Sequence, residues 1–146
     1  MDVWKMTQLV EEHLALVNRD WERWKSTVTP DVTYEEKATG QYARGADQVI
    51  EALKRWTAAF PDLVPTITKL AVCNGVAVAE VTWEGTQTRS LAGPLGLIPP
   101  SGNRAAVAAA IVYTFAGHRI KEIRPYFDLL TILRQVSPEP VPATLR

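Results

Sequence analysis

Residues 64–87, VPTITKLAVCNGVAVAEVTWEGTQ, decide the fold. Before Pro61 the apolar residues recur every three or four positions; after it they alternate, which is the change from helix to strand. Asn74-Gly75 interrupts the alternation with two residues that tolerate positive φ, the preferred pair for a two-residue hairpin turn. The stretch therefore reads as a strand over Val64–Val72, a tight turn, and a long strand over Val76–Gln87. Towards the C-terminus, Ser90–Gly102 is rich in Gly and Pro and reads as a loop. Arg104–Phe115 is a strand of small residues, Ala116-Gly117-His118 a turn, and Arg119–Phe127 an antiparallel return. Asp128–Val136 closes as a helix, and Ser137–Arg146, with Pro138, Pro140 and Pro142, reads as a flexible tail.

Towards the N-terminus, Ala46–Phe60 is a helix stopped before Pro61. Gly40–Gly45 reads as a loop and Val32–Ala38 as a strand. Asp20 caps a short helix carrying Trp21 and Trp24, ended by Thr29-Pro30. Val3–Asn18 is an amphipathic helix with Met6, Val10, His13, Leu14 and Val17 on one face and Glu11 and Glu12 on the other. Three helices in the N-terminal half, a strand among them, then a four-stranded meander and a short closing helix make an α+β domain. Three helices cover one face of such a sheet. A strongly curved antiparallel sheet would close around them as a cone-shaped barrel enclosing a pocket.

At 146 residues the chain suits one domain, expected over 1–136. Its net charge is zero with the signs mixed, so no basic block offers a nucleic-acid footprint. One cysteine, Cys73, excludes an internal disulfide, and two histidines without a cysteine pair argue against a structural zinc. Met1-Asp2-Val3-Trp4-Lys5 lacks the apolar core of a signal peptide, and no apolar run is long enough to span a membrane, so a cytoplasmic location is expected. No cofactor or metal is expected.

Five stretches in order resemble one family: LVNRDWERW (16–24) with TPDV (29–32), AAFPDL (58–63), VAEVTWEGTQT (78–88), LGLIPPSGN (95–103) and HRIKEIRPYFDLLTILRQV (118–136). Together they are similar to the SnoaL-like polyketide cyclases of the nuclear transport factor 2-like superfamily. That superfamily also holds ketosteroid isomerase, limonene epoxide hydrolase, scytalone dehydratase and non-catalytic members, so the resemblance implies a fold before it implies a reaction. The resemblance puts the aspartate acid-base of the best-known cyclases at Pro125, which cannot transfer a proton. It puts their polar residues on the penultimate strand at Ala109 and Ile111, and the Arg and Asp of the epoxide hydrolases at Val81 and Trp83. Asp128 matches a different family aspartate and reads first as an N-cap, with a catalytic acid as the alternative.

What survives is a smaller set. Residues two apart on a strand share a face, so Tyr34 and Glu36 go together, and the resemblance turns them inward. By the same resemblance Glu36 takes the place of the aspartate base of ketosteroid isomerase, and His13 that of its oxyanion-donating tyrosine. His13 also falls on the apolar face of the first helix by periodicity alone. Glu36 is thus the expected base, with His13 and Tyr34 as donors. Trp83, Tyr113, Val81, Ile111, Ala109, Ile123 and Phe127 are expected as substrate-binding wall. Trp21 and Trp56 read as core or rim.

The function expected is cofactor-independent acid-base catalysis (cyclisation, isomerisation or dehydration) on a small hydrophobic carbonyl or polyketide-like compound. A non-catalytic small-molecule-binding domain is the alternative, and a cyclase whose acid-base role has moved to Asp128 or Glu36 is a third. Ala108, Ala110 and Val112 alternate with the inward set and are apolar, which predicts a homodimer through the outer face of the sheet.

Overall fold

The computed structural model describes residues 2–94 and 96–137. Helix α1 (Val3–Leu16) begins at Asp2, whose side chain accepts from the Lys5 N–H at 2.8 Å, and it buries Met6, Val10, His13 and Leu14. Helix α2 (Trp21–Lys25) is capped by Asp20, which accepts from the Arg23 N–H at 3.0 Å, and buries Trp24 completely. Helix α3 (Ala46–Ala59) ends ahead of Pro61, as the proline requires. Helix α4 (Leu129–Val136) starts at Asp128, whose carboxylate accepts from the Leu130 N–H at 3.0 Å and the Thr131 hydroxyl at 2.9 Å. The capping role expected of Asp128 is the one it has.

Six strands form one sheet: β1 (Val28–Glu36), β2 (Gln41–Arg44), β3 (Val64–Cys73), β4 (Val76–Thr86), β7 (Arg104–Ala116) and β8 (Arg119–Phe127), in the order β2-β1-β8-β7-β4-β3. The expected meander is there as β3-β4-β7-β8. Its first turn carries Asn74 at φ 52° and Gly75 at φ 74°, the double positive φ of a type I′ hairpin. Three readings need correction. The sheet is mixed rather than antiparallel throughout, because β1 runs parallel to β8, and it stays open at β2 and β3 rather than closing into a barrel. Residues 41–44 are a strand, not a loop: a tight turn after Glu36 folds them back as β2, with Glu36 opposite Gln41. The loop over 90–102 holds a small hairpin of β5 (Leu91–Gly93) and β6 (Gly96–Ile98). Beyond Ser137 the expected tail lies outside the described residues.

Register shifts between Val28 and Thr33, Ile67 and Lys69, and Thr114 and Phe115 bend the sheet around α1 and α3. β8 pairs with β1 only as far as Ile123, and Pro125, with no N–H to donate, lies just beyond. β8 in turn reaches β7 only to Ala109. Past that point the Gln135 carboxamide takes the place of a strand, accepting from the Ala106 N–H at 2.9 Å and donating to the Ala106 carbonyl at 2.8 Å. Helix α4 is thereby held across the end of the sheet.

Two packed clusters result. One gathers Val10, Leu14, Trp24, Val32, Val49, Val81, Ile111 and Tyr113 between the helices and the centre of the sheet. The other gathers Ala59, Phe60, Leu91, Ala105, Ile132 and Val136 at the α4 end. Gly85 permits the close approach of residues 60–63: a Cβ there would lie 3.1 Å from Phe60 Cβ and 3.3 Å from Leu63 Cα. No helix among the described residues is long and apolar enough to cross a membrane.

Candidate active site

A cavity of about 110 Å³ is lined by residues of both clusters. This is the scale at which a cavity admits a single-ring organic guest. Of the residues expected there, His13, Tyr34, Trp83, Tyr113, Ile111, Ala109, Ile123 and Phe127 all line it. Two do not. Val81 is buried in the first cluster with Val10 and Leu14 of α1, on the inward face but away from the cavity. Glu36 is fully buried and also absent from the lining.

Glu36 stands one layer behind the wall. The Tyr34 hydroxyl and the Trp56 Nε1–H, the latter at 3.0 Å, both donate to its Oε2, and the Thr39 hydroxyl donates to Oε1 at 2.5 Å. Tyr34 and Trp56 line the cavity themselves, so two of the three donors that hold the carboxylate belong to the wall in front of it. Burial, and then the charge of Glu36 beside it, pushes the Tyr34 hydroxyl well above the ordinary phenol range. Tyr34 is therefore a neutral hydroxyl whose proton is committed to Glu36 and whose oxygen lone pairs remain.

His13 is held differently. Its Nδ1 lies 2.9 Å from Thr27 Oγ1, and that hydroxyl lies 2.6 Å from the Trp24 carbonyl. A hydroxyl has one proton, and two oxygens approach to 2.6 Å only with that proton between them. Thr27 therefore donates to Trp24 and accepts from His13, so the hydrogen-bond network assigns the proton to Nδ1. Nε2 is left with a lone pair, and among the described residues no hydrogen bond reaches it. Burial pushes the imidazole down from 6.5 to about 3, so it is neutral at pH 7. The ring packs edge-on to Tyr113 at 5.3 Å and tilted against Trp24 at 5.2 Å. Burial pushes the Tyr113 hydroxyl upward as well.

The polar complement of the cavity is thus an acceptor at His13, an acceptor oxygen at Tyr34 and a neutral hydroxyl at Tyr113, with Thr57 beside an otherwise apolar and aromatic wall. No group of three or more potential metal ligands occurs among the described residues. Trp56, expected as core or rim, belongs to the cavity wall, and a signal for it existed: Leu53, Trp56, Thr57 and Phe60 fall on one stripe of α3, and all four line the cavity. Thr27 carried no such signal, since nothing in the local pattern ties it to His13.

The profile of the SnoaL-like polyketide cyclases matches residues 7–136. The chain belongs to that family. Among solved structures it resembles a candidate SnoaL-like polyketide cyclase from Jannaschia Sp. CCS1, at 26% identity and a TM-score of 0.79 over 92% of this chain and 94% of that one. It is similar to TsrD from Streptomyces laurentii at 28% identity and a TM-score of 0.79, covering 93% of this chain and 97% of that one. An LEH-like epoxide hydrolase from M.tuberculosis shares the fold at 20% identity and a TM-score of 0.68, over 90% of this chain and 89% of that one. No curated protein matches the chain. Pro125 lines the cavity, and its side chain has no proton to donate or accept.

Proposed function

We propose that the chain is a cofactor-independent acid-base enzyme that moves a proton next to the carbonyl group of a small hydrophobic guest, in a cyclisation, isomerisation or dehydration. The observation that carries this reading is the free Nε2 of a neutral His13 in the wall of an apolar cavity, beside the Tyr113 hydroxyl. In the step we propose, a carbon–hydrogen bond next to the carbonyl breaks and the proton passes to Nε2. The electron pair becomes the carbon–carbon double bond of the enolate, and Tyr113 donates to the oxygen that takes up the charge. An imidazolium would be costly in this setting alone; the enolate formed beside it is its counter-charge. In this reading Glu36 is a positioning residue that sets the two cavity-lining donors Tyr34 and Trp56, and His13 is a base rather than a donor.

The test is α-proton exchange into a panel of small cyclic ketones in D2O, followed by NMR. His13→Phe is expected to lower exchange at least about a hundredfold, as loss of a general base does, and Glu36→Gln about tenfold or less. The reverse order would return the role of base to Glu36.

The apolar wall and the saturated Glu36 favour one competing reading, a non-catalytic binding domain. It is supported if guests bind tightly and no member of the panel exchanges. We also propose a two-fold dimer through the outer sheet face. Across β4, β7 and β8 the rows run Val78–Val112–Arg124 and Glu80–Ala110–Tyr126, each an apolar pair with one charge beside it, and an interface there would join apolar contacts with charge pairs. Light scattering should give twice the chain mass, and Val78→Glu should halve it; a monomer at micromolar concentration would end this proposal.

A further inference from the structure

A cavity that bound a simple ketone by donation alone would place N–H and O–H groups around the carbonyl oxygen. Two of the four polar side chains in this cavity's wall do the opposite, the other two being Tyr113 and Thr57. Tyr34 has spent its proton on Glu36, and His13 has its proton on Nδ1, turned to Thr27. Both residues line the cavity and the valence left to each is that of an acceptor, whereas Tyr113 is the one tyrosine of the pair whose proton is uncommitted among the described residues. A buried acceptor left without a donor is costly, so a guest that brings none is penalised by each one it covers.

We propose that Thr27 sets this polarity: by holding His13 in the Nδ1–H form it leaves an acceptor at Nε2, which selects guests presenting an O–H or N–H group at that position. The preferred guest is then a small compound that carries a hydroxyl or enol; seated on Nε2 it fills the single lone pair there, so it binds in competition with a ketone whose C–H proton that nitrogen takes. This rests on the reading of the cavity as the guest site. Thr27 touches no cavity space and acts through His13, so it is a positioning residue for specificity.

The hydroxyl of Thr27 is the feature to alter. Thr27→Val removes the acceptor for Nδ1–H and keeps the shape. Thr27→Ser keeps the acceptor and should restore the wild-type behaviour. Two measurements apply. Long-range 1H–15N spectra of the imidazole report which nitrogen carries the proton: Nδ1 is expected in the wild type and in Thr27→Ser, and a shift towards Nε2–H in Thr27→Val. Binding is read from the Trp83 indole signal with three matched probes, 4-ethylphenol, 4-ethylanisole and ethylbenzene. The phenol should bind about tenfold more tightly than its methyl ether, the worth of one net hydrogen bond, although the ether is the more apolar molecule. That preference should vanish in Thr27→Val and return in Thr27→Ser.

Equal binding of phenol and ether by the wild type would overturn the proposal while leaving the cavity as a guest site. A preference that survives Thr27→Val with the proton still on Nδ1 would overturn the role of Thr27. Failure of all three probes to perturb Trp83 would overturn the guest site itself, and the proposal with it.

Discussion

The molecule buries two polar groups near one cavity and treats them in opposite ways. Around Glu36, three donors converge and both oxygens are occupied. Around His13, one nitrogen is occupied and the other is free. Both residues are almost wholly buried, at 0% and 3% exposure, so burial does not distinguish them. Hydrogen-bond valence does. A carboxylate whose two oxygens are both held by donors of the wall organises that wall, whereas a ring nitrogen with an open lone pair can meet a guest. In a cavity of this kind the most polar residue need not be the one that does the chemistry.

The contrast can be broken most forcefully at Glu36. Glu36→Leu would leave the buried Tyr34 hydroxyl and the half-buried Trp56 N–H and Thr39 hydroxyl without their acceptor. A loss of about 3–5 kcal/mol in denaturant unfolding is expected, with Glu36→Gln costing well under half of that because one oxygen still accepts. A loss below about 1 kcal/mol for Glu36→Leu would mean that the three donors find other partners.

Acid should expose the other half of the contrast. His13 binds a proton near pH 6.5 when unfolded and only near pH 3 when folded. Between those values the unfolded chain holds more protons, so stability falls as pH falls, by about 1.4 kcal/mol per pH unit from this residue. Its contribution is complete above about pH 6.5 and is lost on the way down to about pH 3. His13→Phe should flatten that part of the stability profile relative to the wild type, and parallel profiles would contradict the neutral, buried imidazole.

The smallest effect should come from Thr39→Ala, which removes one of the three donors to Glu36 from the exposed side of the knot. A cost of about 1 kcal/mol is expected, with guest binding unchanged because Thr39 does not line the cavity.

Much of this arrangement is legible in the sequence, and its limits have physical causes. The hairpin at Asn74-Gly75, the meander after it and the caps at Asp20 and Asp128 are local, and local chemistry specifies them. The pairing of β1 with β8 is not: Tyr34 and Ile123 meet across most of the chain, and no periodicity records their direction. Strand alternation pairs Tyr34 with Glu36 and the family resemblance turns them inward, where both are buried, and alternation puts Val81 on the same side as Trp83. It could not give depth. Whether an inward residue meets the cavity or lies under a helix depends on what packs over it, and Trp56 covers Glu36 from a helix twenty residues away. The tautomer of His13 is beyond the sequence for a related reason, since it is set by Thr27, fourteen residues on.

The account stands on where a guest's polar atom settles, and a crystal structure with 4-ethylphenol bound would test that most directly. The phenol oxygen should lie about 2.7–3.0 Å from His13 Nε2, with the Tyr34 and Trp56 bonds to Glu36 intact. An oxygen bound to Glu36, with either donor swung aside to admit it, would contradict the account and make the carboxylate the working group.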